Sequence, residues 1–121
     1  MMTQNTRAMA AQQLQLFKAA FFKALAHPIR IRILERLVRQ DHTVQELQEA
    51  LQLSQPVVSQ QLAVLRAHNV VSGAKSGTTV SYAVRDPLIG DLLDVARRIF
   101  NNHLVGTQGL LKTLQRERRG R

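Results

Sequence analysis

The run from Thr43 to His68, TVQELQEALQLSQPVVSQQLAVLRAH, constrains the fold more than any other stretch, because it specifies two helices and the break between them. Thr43 followed by Glu46 is a capping-box pair, and Val44, Leu47 and Leu51 then fall on one face of a short helix. Ser54 supplies a second cap, and Pro56 sits in a first helical turn, where a missing amide proton is tolerated. The spacing predicts a longer helix from about Gln55. Val58, Leu62 and Leu65 form its inward stripe, with Gln55, Ser59, Gln60 and Arg66 pointing away from the core. Two helices joined by a turn of three or four residues, the second polar on its outer face near its start, form a helix-turn-helix of the kind that reads DNA. The plain alternative for this stretch alone is a packed helical hairpin with a solvated face.

Charge favours the first reading. The formal net charge is +9 over 121 residues, and a compact domain gains nothing from such self-repulsion unless its partner is anionic. Nucleic acid is the leading partner, and a basic membrane-surface protein the competitor. No apolar run approaches the eighteen or so residues of a transmembrane span. The opening residues, MMTQNTRAMAAQQ, lack the charged end and apolar block of a signal peptide, so the expected location is cytoplasmic. At this length one core is expected, and with aromatics at only 4% its packing rests on Leu, Ile, Val and Ala. The chain has no cysteine, which removes disulfides, thiolate ligands and thiol nucleophiles from consideration.

Before the helix-turn-helix, residues 1 to about 9 read as a flexible, weakly basic arm. A helix is expected from Ala10 to Ala26, with Leu14, Phe17, Phe21 and Leu25 on one face and Phe22 widening it. So much apolar surface needs cover from the domain body or from a second copy. His27 precedes Pro28 and is pushed out of helical geometry, so the next helix starts at Pro28. That helix turns Ile29, Ile33, Leu34 and Leu37 inward, and Arg30, Arg32, Arg36 and Arg39 spread over its other sides, available to phosphate or simply solvated.

After His68 the hydrophobic period changes from 3.6 to 2. Val70 and Val71, a turn at Ser76-Gly77, and the alternation of Val80, Tyr82 and Val84 predict a small β-hairpin. Directly behind a recognition helix, such a hairpin is a wing whose tip, with Lys75, Gly77 and Thr78, can approach a phosphate; the alternative is a hairpin that only caps the core. Asp86 and Pro87 mark the start of a last helix. Its two apolar rows, among them Leu92, Val95, Ile99 and Phe100, are wider than one small domain needs, and self-association is their natural use. Gly106 and Gly109 are expected to weaken or break that helix, and residues 116–121 to form a basic disordered tail. The fold class is therefore mainly α with a small β-hairpin: a winged helix-turn-helix over residues 10–115, paired through its first and last helices.

These residues resemble the ArsR/SmtB family of winged-helix transcriptional repressors. The resemblance rests on FFKALAHPIRIRILERL from Phe21 to Leu37, on the run from Thr43 to Val71, and on the wing to Tyr82, and it covers roughly residues 15–100. It implies a homodimer that places two recognition helices in successive major grooves of a roughly palindromic operator, and it makes His27 a helix-junction residue rather than a ligand. The departures bear on sensing. The cysteine motif of the metal-sensing founders is missing from Thr43-Val44-Gln45-Glu46-Leu47, and so is the cysteine pair of persulfide sensors. The subgroup that holds zinc between its last helices uses an Asp-x-His pair and two downstream histidines; here that start reads Asp91-Leu92-Leu93, and His103 stands alone. Asp91, Asp94 and His103 are thus poor material for a metal site, and no metal or other cofactor is expected. Gln52 occupies the turn position where many relatives carry glycine, so the turn is expected to be drawn differently.

The candidate DNA-binding residues are Ser54, Gln55, Pro56, Ser59, Gln60, Arg66, Lys75 and Thr78. Gln55, Ser59 and Gln60 are suited to base edges, Ser54 and Arg66 to phosphate. The candidate pairing residues are Leu14, Phe17, Phe21, Leu92, Val95, Ile99 and Phe100. No paired carboxylates, phosphate-cradling glycine loop or Ser/His/Asp grouping points to an enzyme. Two other readings stay open at this point: a DNA-binding autoregulator that senses nothing, and a winged-helix module that binds a protein. No residue pattern names a small-molecule effector.

Overall fold

The computed structural model describes residues 3–119, and the chain divides after Pro87 into two compact units. The first unit runs α1 (Gln4–Leu25), α2 (Pro28–Leu37), β1 (His42–Thr43), α3 (Val44–Leu51), α4 (Gln55–Ala67), β2 (Val71–Ser76) and β3 (Thr79–Val84). The second is a single helix, α5 (Leu88–Arg119). The core of the first unit is aliphatic. Ile33, Leu34 and Leu37 of α2, Leu47 and Leu51 of α3, and Val58, Leu62 and Leu65 of α4 are buried, with Ala24 and Leu25 from the end of α1 and Val70 and Val71 leading into the wing.

Helix boundaries follow local chemistry. Thr43 and Glu46 close the predicted capping box: the Thr43 amide donates to the Glu46 carboxylate at 2.9 Å, and the Glu46 amide donates to the Thr43 hydroxyl at 3.1 Å. Those bonds hold the Glu46 carboxyl below its ordinary pKa, the bond from the Thr43 backbone contributing most. A carboxyl whose pKa is lower folded than unfolded stabilises the fold above the ordinary glutamate range and loses that contribution as pH falls through the lowered value. Urea unfolding across acidic pH is expected to show this dependence, and Glu46→Gln to flatten that part of the curve. An unchanged curve in the variant would remove Glu46 from the account.

The turn between α3 and α4 is not redrawn. Gln52 itself takes the left-handed conformation, with φ 57° and ψ 49°, and its side-chain amide donates to the Glu49 carbonyl at 2.8 Å. Left-handed geometry costs a residue with a Cβ roughly 1–2 kcal/mol, which the side-chain bond partly offsets. Gln52→Gly is therefore expected to stabilise the chain by up to about 1 kcal/mol, read as a higher urea midpoint with an unchanged slope. Asn69 makes the same excursion after α4, with φ 58°, at a position where asparagine is better tolerated.

Four expectations about elements need correction. The helix α1 begins at Gln4 rather than near Ala10, so residues 4–9 of the expected arm are helical; the Thr3 hydroxyl accepts from the Thr6 amide, and good helix formers follow. Met1 and Met2 lie outside the described residues. The hairpin belongs to a three-stranded antiparallel sheet, because β1 pairs with β3, His42 opposite Tyr82 and Thr43 opposite Ser81. Gly106 and Gly109 do not interrupt α5. There the hydroxyls of Thr107 and Thr113 fold back on the helix and donate to the His103 and Gly109 carbonyls, both at 3.0 Å. The expected basic tail is helical through Arg119, while Gly120 and Arg121 lie outside the described residues.

In the wing, β2 and β3 pair from Val71 opposite Val84 to Ser76 opposite Thr79. Gly77, with φ 63°, begins the two-residue loop, a conformation that side chains with a Cβ resist. Gly73 lies opposite Tyr82, and a Cβ placed there would meet Val80 at 2.9 Å and the tyrosine ring at 3.3 Å.

Candidate nucleic-acid interface

The helix α4 separates its two tasks by face. Val58, Leu62 and Leu65 are buried, while Ser54, Gln55, Pro56, Gln60 and Arg66 are exposed and Ser59 is half-buried. Ser54 stands at the N-cap with extended backbone, φ −75° and ψ 155°, yet its hydroxyl makes no cap bond. Pro56 removes one amide from the first turn, so the Gln55 and Val57 amides and the Ser54 hydroxyl are the donors set at the positive end of the helix dipole. One N–H of the Gln55 side chain donates to the Ser59 hydroxyl at 2.9 Å. The pair is thereby ordered before any ligand arrives, and the Gln55 carbonyl, its second N–H and the serine proton stay available.

Two residues missing from the sequence-based set belong to this surface or support it. Ala63 is exposed four positions after Ser59 and three after Gln60, which puts its methyl group on the same outward face. The helical period alone would have found it. Gln61 is half-buried and accepts from the Arg30 guanidinium, so it is held by α2 and turned from solvent. The wing adds Lys75 near the end of β2 and Thr78 in the loop, both exposed.

Of the α2 arginines, expected to be available to phosphate or simply solvated, two are instead engaged within the fold. Arg30 binds the carbonyls of Lys23 and Ala24 together with Gln61, and Arg32 donates to the Leu51 carbonyl at 2.9 Å. Both therefore satisfy orphan carbonyls at helix ends.

Ala24 and Leu25 anchor the end of α1 in the core, while of the residues on this helix expected to pair chains Phe21 is half-buried and Leu14 and Phe17 are exposed, Phe17 by 72%. On α5, Val95, Ile99 and Phe100 are exposed and Leu92 is half-buried, and the row continues through exposed Leu104, Leu110, Leu111 and Leu114. Asp94 pairs with Arg97 and Arg98, Asp91 and His103 are exposed, and from Asp94 to His103 the helix rises about 13 Å. Among the described residues no three His, Asp or Glu side chains come together as a metal site, and no helix is long and apolar enough to cross a membrane.

Comparison with known proteins agrees with this geometry. Residues 27–72, which hold α2, α3, α4 and the start of the wing, match the family described as "Bacterial regulatory protein, arsR family". The HTH-type transcriptional regulator Rv0081 of Mycobacterium tuberculosis is 42% identical over 108 residues, 88% of this chain and 95% of that protein. Its crystal structure superposes with a TM-score of 0.71 over 78% of this chain and 95% of that one, at 44% identity. A probable mercury resistance operon repressor of Streptomyces lividans is 39% identical over 65% of this chain and 63% of its own length. The homodimeric winged helix-turn-helix DNA-binding domain of Mb0332 from Mycobacterium bovis superposes with a TM-score of 0.72, at 25% identity over 86% of this chain and 94% of that one. With a helix-turn-helix, a wing and a relative matched over nearly its whole length, the chain belongs to the ArsR family of winged helix-turn-helix transcriptional regulators.

Proposed function

We propose that this regulator works as a homodimeric repressor of a roughly palindromic DNA operator, in the cytoplasm, and that its role is binding rather than catalysis. The observation that carries the reading is the polar, uncapped start of α4, held on a fully buried Val58, Leu62 and Leu65 stripe. A rigid backing is what a base-reading surface needs, because a bidentate contact is lost when its side chain is misplaced by an ångström.

In the proposed complex α4 lies in the major groove. Gln55, Ser59 and Gln60 face base edges, Ala63 faces a thymine methyl, and Ser54, Arg66 and the first amides of α4 hold phosphates. Pro56 sets the first turn, and Lys75 and Thr78 reach the flanking backbone from the wing. The bare stripes of α1 and α5, including Leu14, Phe17, Phe21, Leu92, Val95, Ile99 and Phe100, cover one another between two copies. Repression then follows from occupying promoter DNA, and the net charge of +9 supplies the sequence-independent part of affinity.

Selection of bound duplexes from a random pool tests the reading. A single symmetric sequence should emerge, and Gln60→Ala should weaken binding to it by about 1–3 kcal/mol while leaving a scrambled duplex nearly unaffected. Equal losses on both duplexes would remove Gln60 from base reading, and a pool with no preferred sequence would overturn the function.

A further inference from the structure

One guanidinium joins the end of α1 to the middle of the recognition helix. Arg30, in the first turn of α2, donates from Nε to the Ala24 carbonyl at 2.6 Å, from Nη2 to the Lys23 carbonyl at 3.4 Å, and from Nη1 to the Gln61 side-chain carbonyl at 2.9 Å. The first two acceptors belong to the last turn of α1, where the Lys23 carbonyl also accepts from the Ala26 amide at 3.2 Å and the helix dipole favours a cation. The third belongs to α4, one residue after Gln60. A planar fork with fixed donor directions resists both rotation and sliding of the two helices it joins, which a flexible ammonium does not. Ala24 and Leu25 are buried beside the clamp, so the α1 end of the link is itself fixed.

We propose that Arg30 and Gln61 are positioning residues that set the tilt of α4 relative to α1, and through it the separation of the two recognition helices in a paired molecule. The proposal rests on the homodimeric reading above, in which α1 contributes to the pairing surface. Two recognition helices must meet half-sites about one helical turn, or a multiple of it, apart along the duplex. A held tilt makes the pair intolerant of any other spacing, and a loose one lets each α4 adjust to its own half-site. Spacing selectivity is then a property of a contact that touches no DNA.

The test uses the full chain and the duplex selected by the wild-type protein, together with the same duplex carrying one inserted central base pair and a scrambled duplex. Arg30→Lys keeps the charge but cannot span the three acceptors. Gln61→Leu removes the acceptor at similar volume, and Gln61→Glu keeps an acceptor and adds charge. Fluorescence anisotropy gives affinities, sedimentation gives oligomeric state, and thermal unfolding gives stability. Wild type and Gln61→Glu should lose about tenfold or more on the inserted duplex, whereas Arg30→Lys and Gln61→Leu should lose less than about threefold. All four proteins should remain dimers, and the charge-preserving Arg30→Lys and Gln61→Leu should bind the scrambled duplex as the wild type does. Equal insertion penalties in all four proteins overturn the clamp, even where the variants unfold at lower temperature. A wild-type protein that is monomeric, or indifferent to the insertion, overturns the paired reading and the clamp with it.

Discussion

Ile99→Glu combined with Phe100→Glu is expected to convert the proposed pair into single copies on the selected duplex, with an apparent affinity loss of about 10²–10⁴-fold. The two side chains are 60% and 61% exposed, so no folded core is disturbed by replacing them. Glutamate is also a good helix former, so α5 itself should persist. The loss comes from linkage: when two α4 helices are joined, the second half-site is bound at high effective concentration, and that advantage vanishes when the copies separate. Four carboxylates facing one another across an apolar seam provide the separating force. Sedimentation should show monomers at micromolar concentration, and far-UV circular dichroism should be unchanged. A double variant that remains dimeric with full affinity would place the pairing surface elsewhere.

The other large effect lies under the exposed face of α4. Leu62 is 1% exposed, and Leu62→Ala should lower the unfolding free energy by about 2–5 kcal/mol, through lost transfer energy and the cavity left behind. For a chain of this size, at about 4 °C per kcal/mol, that corresponds to a drop in melting temperature of roughly 8–20 °C. Its neighbour Ala63 is exposed, and Ala63→Ser should change stability by less than about 0.5 kcal/mol. Adjacent positions with opposite outcomes are the signature of a helix that carries its core on one face and leaves the other free for a partner. Comparable losses at both positions would mean that the Ala63 side is also packed.

The same division explains what could be read before folding. Along α2, α3 and α4 the buried positions are aliphatic and recur at helical spacing, and α3 opens on a capping box, so Val58, Leu62 and Leu65 and the Thr43 and Glu46 pair were legible from spacing alone. The strand β1 was not, because two residues, His42 and Thr43, carry no period; their pairing with β3 depends on the hairpin already standing beside them. The roles of Arg30 and Arg32 were illegible for a related reason. An arginine on a helix surface looks solvated until the carbonyls at two distant helix ends, Ala24 and Leu51, are brought to it. At α5 the intrinsic penalty of two glycines suggested a break, and the strong helix formers around them, among them Leu104, Leu110, Leu111 and Lys112, outweigh it.

The strand order β1-β3-β2 makes β3 the interior strand and leaves the outer side of β2 without a neighbour among the described strands. An open flank of that kind invites an extended segment of another polypeptide to add itself, the first step toward fibrous aggregates. Here the flank reads Val71-Ser72-Gly73-Ala74-Lys75-Ser76, with one bulky apolar side chain that is already buried and a cation near the tip. The scarcity of exposed apolar side chains and the charge near the tip both work against such an addition, so the flank carries its own guard against misassembly without a dedicated cover.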